Sequence, residues 1–230
     1  DAGNTLFIYG WEGTDDKNTL YTLDLKDPMA EVVKLFDERD ASYQVLGDTV
    51  ILDKRSWFER LFGPPRRAPE TRYWIRTNKD APNGRVVAVN PAHPEPENWT
   101  ELIPESEHVL RGVSMVGGHL VVSHLADVQS TVAVHDLDGN LVRKVDLPGI
   151  GTAYGFGGKP DDPTTFYTFT GFTSPPAIYQ YNVATGESQT WKSSQVEFDS
   201  NLFETKQVFY SSKDGTKVPM FIMHKKGLEL

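Results

Sequence analysis

A metal centre, a calcium loop, a dinucleotide site and a serine nucleophile each require particular residues at particular spacings, and this sequence offers fragments of each. Its histidines are His93, His108, His119, His124, His135 and His224. None forms the four-residue spacing on a helix that presents two imidazoles to zinc. His119 and His124, with His135 on the next strand, could approach one another, but they read as structural or surface histidines. Asp136-Leu137-Asp138-Gly139 opens like a calcium loop and lacks the later ligands and the closing glutamate, so it reads as a hairpin turn. Gly149-Ile150-Gly151-Thr152-Ala153-Tyr154-Gly155 nearly spells a dinucleotide fingerprint. With no helix following it, there is no helix N-terminus to hold phosphate, and the glycines read as points of close backbone packing. No serine stands in Gly-x-Ser-x-Gly, and the pairs Asp15-Asp16 and Asp161-Asp162 lie in turn-like surroundings where Asp is favoured on conformational grounds. The residues therefore point to no catalytic group, no metal and no cofactor within the chain.

The balance of charges excludes a partner class. A net charge of −9 over 230 residues argues against nucleic acid, whose affinity comes from Lys and Arg neutralising phosphates. No apolar run approaches the eighteen or so residues of a membrane helix, and Asp1-Ala2-Gly3-Asn4 does not read as a signal peptide, so no membrane partner is expected. The absence of cysteine excludes disulfides, thiolate metal sites and a cysteine nucleophile, and leaves cytoplasm and periplasm both open.

The elements that carry these residues repeat. Four apolar runs end in Asp or Asn: Leu20-Tyr21-Thr22-Leu23-Asp24, Val86-Val87-Ala88-Val89-Asn90, Val132-Ala133-Val134-His135-Asp136 and Ile178-Tyr179-Gln180-Tyr181-Asn182, their last residues 66, 46 and 46 apart. Each has an apolar strand before it (6–11, 73–77, 120–124, 166–170) and another after it (32–36, 99–103, 141–147, 188–191). The links are rich in Asp, Asn, Gly and Pro. Three to four short strands per period of about 46 residues describe the blade of a β-propeller, with the first blade entered part-way through. The long first interval holds an insertion at 54–72, where Ser56 and Glu59 form a capping box and Trp57, Phe58, Leu61 and Phe62 an apolar stripe, predicting one or two helical turns. This insertion is basic in an acidic chain. It reads either as a docking surface or as a segment packing its aromatics on its own blades.

The last stretch, 205–227, differs. Val208-Phe209-Tyr210, the turn Ser211-Ser212-Lys213-Asp214-Gly215 and the apolar run 218–223 predict a β-hairpin whose second strand is buried on both faces. It reads as the opening of a further domain.

The residues of this hairpin carry a resemblance. Gln207-Val208-Phe209-Tyr210, Ser212-Lys213-Asp214-Gly215-Thr216-Lys217-Val218-Pro219-Met220-Phe221-Ile222 and His224-Lys225-Lys226-Gly227 are similar to the segment leading from the β-propeller into the α/β-hydrolase domain of prolyl oligopeptidases, serine peptidases that cut short peptides after proline. Trp11-Glu12-Gly13, Thr77-Asn78-Lys79, Asn98-Trp99 and Thr170-Gly171-Phe172-Thr173-Ser174-Pro175 extend the likeness over nearly the whole chain. The resemblance implies an all-β chain: 1–200 as about four blades of a seven-bladed propeller, and 201–230 as the linker and first strands of the catalytic α/β-hydrolase domain. It implies a gate and substrate filter, with short proline-containing peptides and the chain's own catalytic domain as partners and the catalytic triad outside the chain. A non-enzymatic propeller that binds peptides or proteins stands as the alternative. In this family the inner strand of the blade at 6–14 presents an Arg and a Cys to the peptide. Those positions are Trp11 and Thr14 here, making an aromatic contact from Trp11 one reading and core filling between blades the other.

Overall fold

The computed structural model describes residues 4–51 and 70–228, nearly all of them in antiparallel strands. They divide into two compact units, 1–106 and 107–230.

In the first unit β1 (Thr5–Trp11), β2 (Asn18–Asp24) and β3 (Val33–Phe36) form a three-stranded meander. β4 (Tyr43–Ile51), β5 (Glu70–Thr77), β6 (Arg85–Val89) and β7 (Thr100–Ile103) form a four-stranded one. Leu20, Leu35, Tyr43, Tyr73, Ile75, Val87 and Val89 build one core, with Phe7, Tyr9, Phe36, Val45 and Trp99 packed around it. The rings interlock: Phe36 stacks on Tyr43 with centroids 4.2 Å apart, and Phe7 meets Tyr73 edge-on at 5.0 Å.

The second unit holds two four-stranded meanders and a hairpin. The first meander is β8 (Val109–Val116), β9 (His119–Ala126), β10 (Gln129–His135) and β11 (Leu141–Lys144). The second is β12 (Thr152–Gly157), β13 (Thr164–Gly171), β14 (Ser174–Asn182) and β15 (Ser188–Ser193). Val116, Val121, Val132, Val134, Phe156, Tyr167, Phe169 and Tyr181 lie in its core. The hairpin is β16 (Phe203–Ser211) and β17 (Lys217–Lys225).

The repeat is explained by one hydrogen bond. Asp24 and Asn182 end, and Asn90 and Asp136 directly follow, the strand that is third in a complete sheet, and each side-chain oxygen accepts the backbone N–H two residues on, at 2.9 to 3.0 Å. A short acceptor at this point closes the turn toward the outer strand, and Asp and Asn make this bond more strongly than Ser or Thr. By this alignment β1 is the counterpart of β5, β9 and β13, the second strands. In the other sheets the first-strand place is held by β4, β8 and β12.

Two other expectations change. The second hairpin strand is not buried on both faces: Met220 and Met223 are 43% and 47% exposed, because the described chain lays only β16 beside it. Of the segment 54–72, residues 70–72 belong to β5, and the predicted helical turns lie outside the described residues.

Candidate functional site

β1 and β2 are joined by a turn in which Asp15 N–H donates to the Glu12 carbonyl at 3.2 Å. That leaves Gly13 and Thr14 as its central residues. Gly13 has φ +59, a left-handed value that glycine adopts without cost, and Thr14 is carried outward on the exposed tip. Trp11, the last residue of β1, is 60% exposed and stacks on Tyr9 at 5.3 Å with the planes 18° apart. It fills no core formed by the described residues.

Tyr9 is fixed in turn. Its hydroxyl accepts the Val45 N–H at 3.0 Å, and burial pushes its pKa up, so the phenol stays neutral. The Trp11 indole therefore rests on an anchored ring, an exposed aromatic platform whose orientation is set by β4. Glu12 pairs with Arg39, a residue from the β3–β4 connection. Sequence reasoning named Trp11 and Thr14 and missed Tyr9 and Arg39. Tyr9 lies two residues before Trp11 on the same face of β1, and the return of the chain through 37–42 brings Arg39 to Glu12.

The turn bearing Thr14 has three counterparts, each linking a second strand to a third: 78–84, 127–128 and 172–173. In the second unit the last two make the seat of the hairpin. Gln207 Nε2 donates to the Asp127 carbonyl at 2.6 Å, and Gln207 Oε1 accepts from Gln129 Nε2 at 3.0 Å. The Thr205 and Thr173 hydroxyls are 3.0 Å apart, and Phe221 packs on Phe172 with centroids 5.1 Å apart. Beside this seat Thr170, Phe172, Pro175, Pro176, Val196 and Phe198 line a small apolar notch.

The remaining candidates resolve into conformation. Asp136 accepts from the N–H groups of Asp138 and Asn140 and from Asn140 Nδ2 at 2.8 to 3.0 Å, and these bonds hold its carboxyl below the usual range. Its lone pairs serve the turn. Gly155, at φ +112, would place a Cβ 2.9 Å from the Phe166 carbonyl, so the glycine-rich run packs closely on the neighbouring strand β13. His119 and His135 each pair a ring nitrogen with a nearby carbonyl, from Gly117 and Gly139. Among the described residues no three His, Asp or Glu side chains come together as metal ligands, and no helix is long and apolar enough to cross a membrane.

Comparison with known proteins agrees with this arrangement. Residues 1–194 match the family described as prolyl oligopeptidase, N-terminal beta-propeller domain. The prolyl endopeptidase of Elizabethkingia meningoseptica is 40% identical over 156 residues, 68% of this chain and 22% of the relative. That of Dictyostelium discoideum is 29% identical over 99% of this chain and 31% of its own length. The chain thus spans between about a fifth and a third of these curated relatives. A solved structure from a study of two prolyl endopeptidases superposes with a TM-score of 0.75 at 36% identity, covering 99% of this chain and 30% of that one. Prolyl oligopeptidase B from Galerina marginata shares the fold at a TM-score of 0.79 and 24% identity, over 99% of this chain and 30% of that one. Sheets of up to four strands, an Asx-closed turn in every repeat and a sequence match from residue 1 to 194 lead to one conclusion: the chain belongs to the prolyl oligopeptidase family, as its β-propeller.

Proposed function

We propose that this chain is the gate and substrate filter of a serine peptidase that hydrolyses short peptides on the carboxyl side of proline. The triad of Ser, Asp and His is supplied by an α/β-hydrolase domain outside the chain, and residues 201–230 are the linker and first strands of that domain. The observation that carries this reading is the family match over residues 1–194, from which β16 and β17 then depart as a separate two-stranded sheet. A hairpin seated on the second-to-third turns directs the following domain to the end of the sheets where those turns lie. The Thr14 turn has the same place in its own sheet.

In the 12–15 turn of its own unit Trp11 offers the peptide an aromatic face and Thr14 a hydroxyl. The contact from Trp11 is by stacking on proline or apolar side chains. The propeller would exclude folded proteins by size. The test is peptidase activity of the full-length gene product on two short substrates, one with proline and one with arginine before the cleavable bond. Cleavage after proline, abolished by a serine-directed phosphonate, is the expected result. Cleavage of neither would leave a binding propeller, and cleavage after arginine alone would overturn the specificity.

A further inference from the structure

Neighbouring second-to-third turns are bridged in each unit. In the first unit the bridge is the connection 37–42: Arg39 pairs with Glu12 at the 12–15 turn, while at the 78–84 turn Asp40 accepts from Lys79 Nζ and the Ser42 N–H donates to Asn78 Oδ1, both at 2.7 Å. In the second unit the hairpin makes a bridge of the same kind. Its Gln207 bonds to Asp127 and Gln129 of the sheet β8–β11, and its Thr205 and Phe221 meet Thr173 and Phe172 of the sheet β12–β15. The three side chains stand on one face, because 205 and 207 are two apart on β16 and Phe221 is the cross-strand partner of Gln207. Both ends of the Gln207 amide are used, which fixes its orientation.

A second tie joins the same two sheets beside the first. Gln129, the donor to Gln207 Oε1, is followed in β10 by Ser130. The Ser130 hydroxyl accepts from Ala153 N–H and its own N–H donates to the Gly151 carbonyl, so Ser130 holds the start of β12. Consecutive residues of one strand therefore carry two ties, one direct and one through the hairpin. Ties in parallel support each other: closing one brings the ends of the other together and removes much of its ordering cost.

We propose that the hairpin β16–β17 is a brace across these two sheets: anchored by Gln207 on one and by Thr205 and Phe221 on the other, it holds the Ser130–Ala153 clasp shut and is held in turn by that clasp. A two-stranded sheet is marginal on its own in water, so the hairpin depends on both anchors. Resting on the function proposed above, Gln207 and Thr205 are positioning residues, which fix the domain that the hairpin opens against two blades of the filter at once.

The test is hydrogen–deuterium exchange of this 230-residue chain, resolved by residue with NMR, which needs no peptidase activity. Brace and peptidase reading can therefore fail separately. Gln207→Ala is expected to speed exchange of the Ser130 and Ala153 N–H groups about fivefold, and Ser130→Ala to speed that of β16 and β17 by a similar factor, because coupling between sites is reciprocal. Thr205→Val separates a brace from a local effect of Gln129. Thr205 bonds to Thr173 on the sheet β12–β15, so cutting it leaves the Gln207–Gln129 bond its partners, yet a brace requires that Ser130 and Ala153 again exchange faster. The equivalent clasp of the first unit, read at the Asn18 and Tyr43 N–H groups, should keep its wild-type rate in all three variants. Unchanged exchange of Ser130 and Ala153 in Thr205→Val, a response in Gln207→Ala alone, or an equal rise at Asn18 and Tyr43 would overturn the brace.

Discussion

Ser130 and Ala153 exchange two hydrogen bonds: the Ser130 hydroxyl accepts from Ala153 N–H at 3.0 Å and donates to its carbonyl at 3.4 Å. Asn18 and Tyr43 do the same, with Asn18 Oδ1 accepting from Tyr43 N–H at 2.7 Å and Nδ2 donating to its carbonyl at 3.1 Å. In both cases the backbone completes the clasp, Ser130 N–H to the Gly151 carbonyl and Asn18 N–H to the Ala41 carbonyl. Ser130 and Asn18 each stand six residues before a repeat marker, Asp136 and Asp24. The clasp is a structural repeat written in different residues. It ties the third-strand position of one sheet to the first strand of the next.

Asn18 is 1% exposed, so Asn18→Ala strands the N–H and carbonyl of Tyr43 without replacement. The expected cost is about 2–3 kcal/mol, or roughly 4–10 °C in Tm for a chain of this size. Ser130→Ala, with one longer bond, should cost about 1 kcal/mol. Thermal unfolding followed by circular dichroism checks both, and losses under about 0.5 kcal/mol would show that the clasps register the sheets without stabilising them.

Val128→Gly should raise stability. Relief of a left-handed β-branched residue is worth about 1–2 kcal/mol, and the extra freedom glycine gives the unfolded chain takes back about 0.5–1. A net gain near 1 kcal/mol, seen as a Tm higher by roughly 2–4 °C, is the expected outcome. A lower Tm would mean that the Val128 side chain makes a contact outweighing its strain.

The strands legible in the sequence were the second and third of each repeat, carried by apolar runs, and the outer strands, found by their place after each marker although each skips one residue in its pairing, at Leu35, Leu102, Val142 and Trp191. The first strands β4, β8 and β12 were not read, for a physical reason. Each carries a bulge at a glycine, where the register shifts between Val45 and Gly47, Leu110 and Gly112, and Gly155 and Gly157. An extra residue there breaks the two-residue period on which a strand is recognised. At the site, Trp11 and Thr14 came from a local motif, whereas Tyr9, Arg39 and Gln207 matter through partners 36, 27 and 80 residues away, Val45, Glu12 and Asp127, and no local pattern signals such a pairing.

His124 gives the fold an acid-sensitive step. Burial, and then the nearby His108 and His135, hold its pKa below the ordinary imidazole value. The folded state therefore prefers neutral His124, and the unfolded chain takes up the proton at higher pH. Stability is full above about pH 7 and falls as the pH drops through the unfolded value near 6.5. The Asp40 carboxyl, which burial raises but Lys79 and Tyr43 bring to a net lowered pKa, adds its loss later, below about pH 4. Melting curves from pH 8 to 3 should show both steps, and His124→Gln should flatten the upper one alone. An unchanged upper step in that variant would assign it to another histidine.

Trp11 separates a binding role from a structural one, because its exposure predicts different results for each. At 60% exposed and stacked, among the described residues, only on Tyr9, its replacement by alanine should leave stability within about 0.5 kcal/mol. If the indole meets the peptide, Trp11→Ala in the full-length protein should raise KM for a short proline peptide about three- to tenfold with kcat little changed, the loss of one aromatic contact. Trp11→Phe keeps a ring on the Tyr9 platform and should recover most of the affinity. Thr14→Ala, removing one exposed hydroxyl at the turn tip, should raise KM by about twofold at most. A stability loss beyond about 1 kcal/mol with unchanged KM would instead make Trp11 part of the packing between blades, and would move the peptide contact away from this turn.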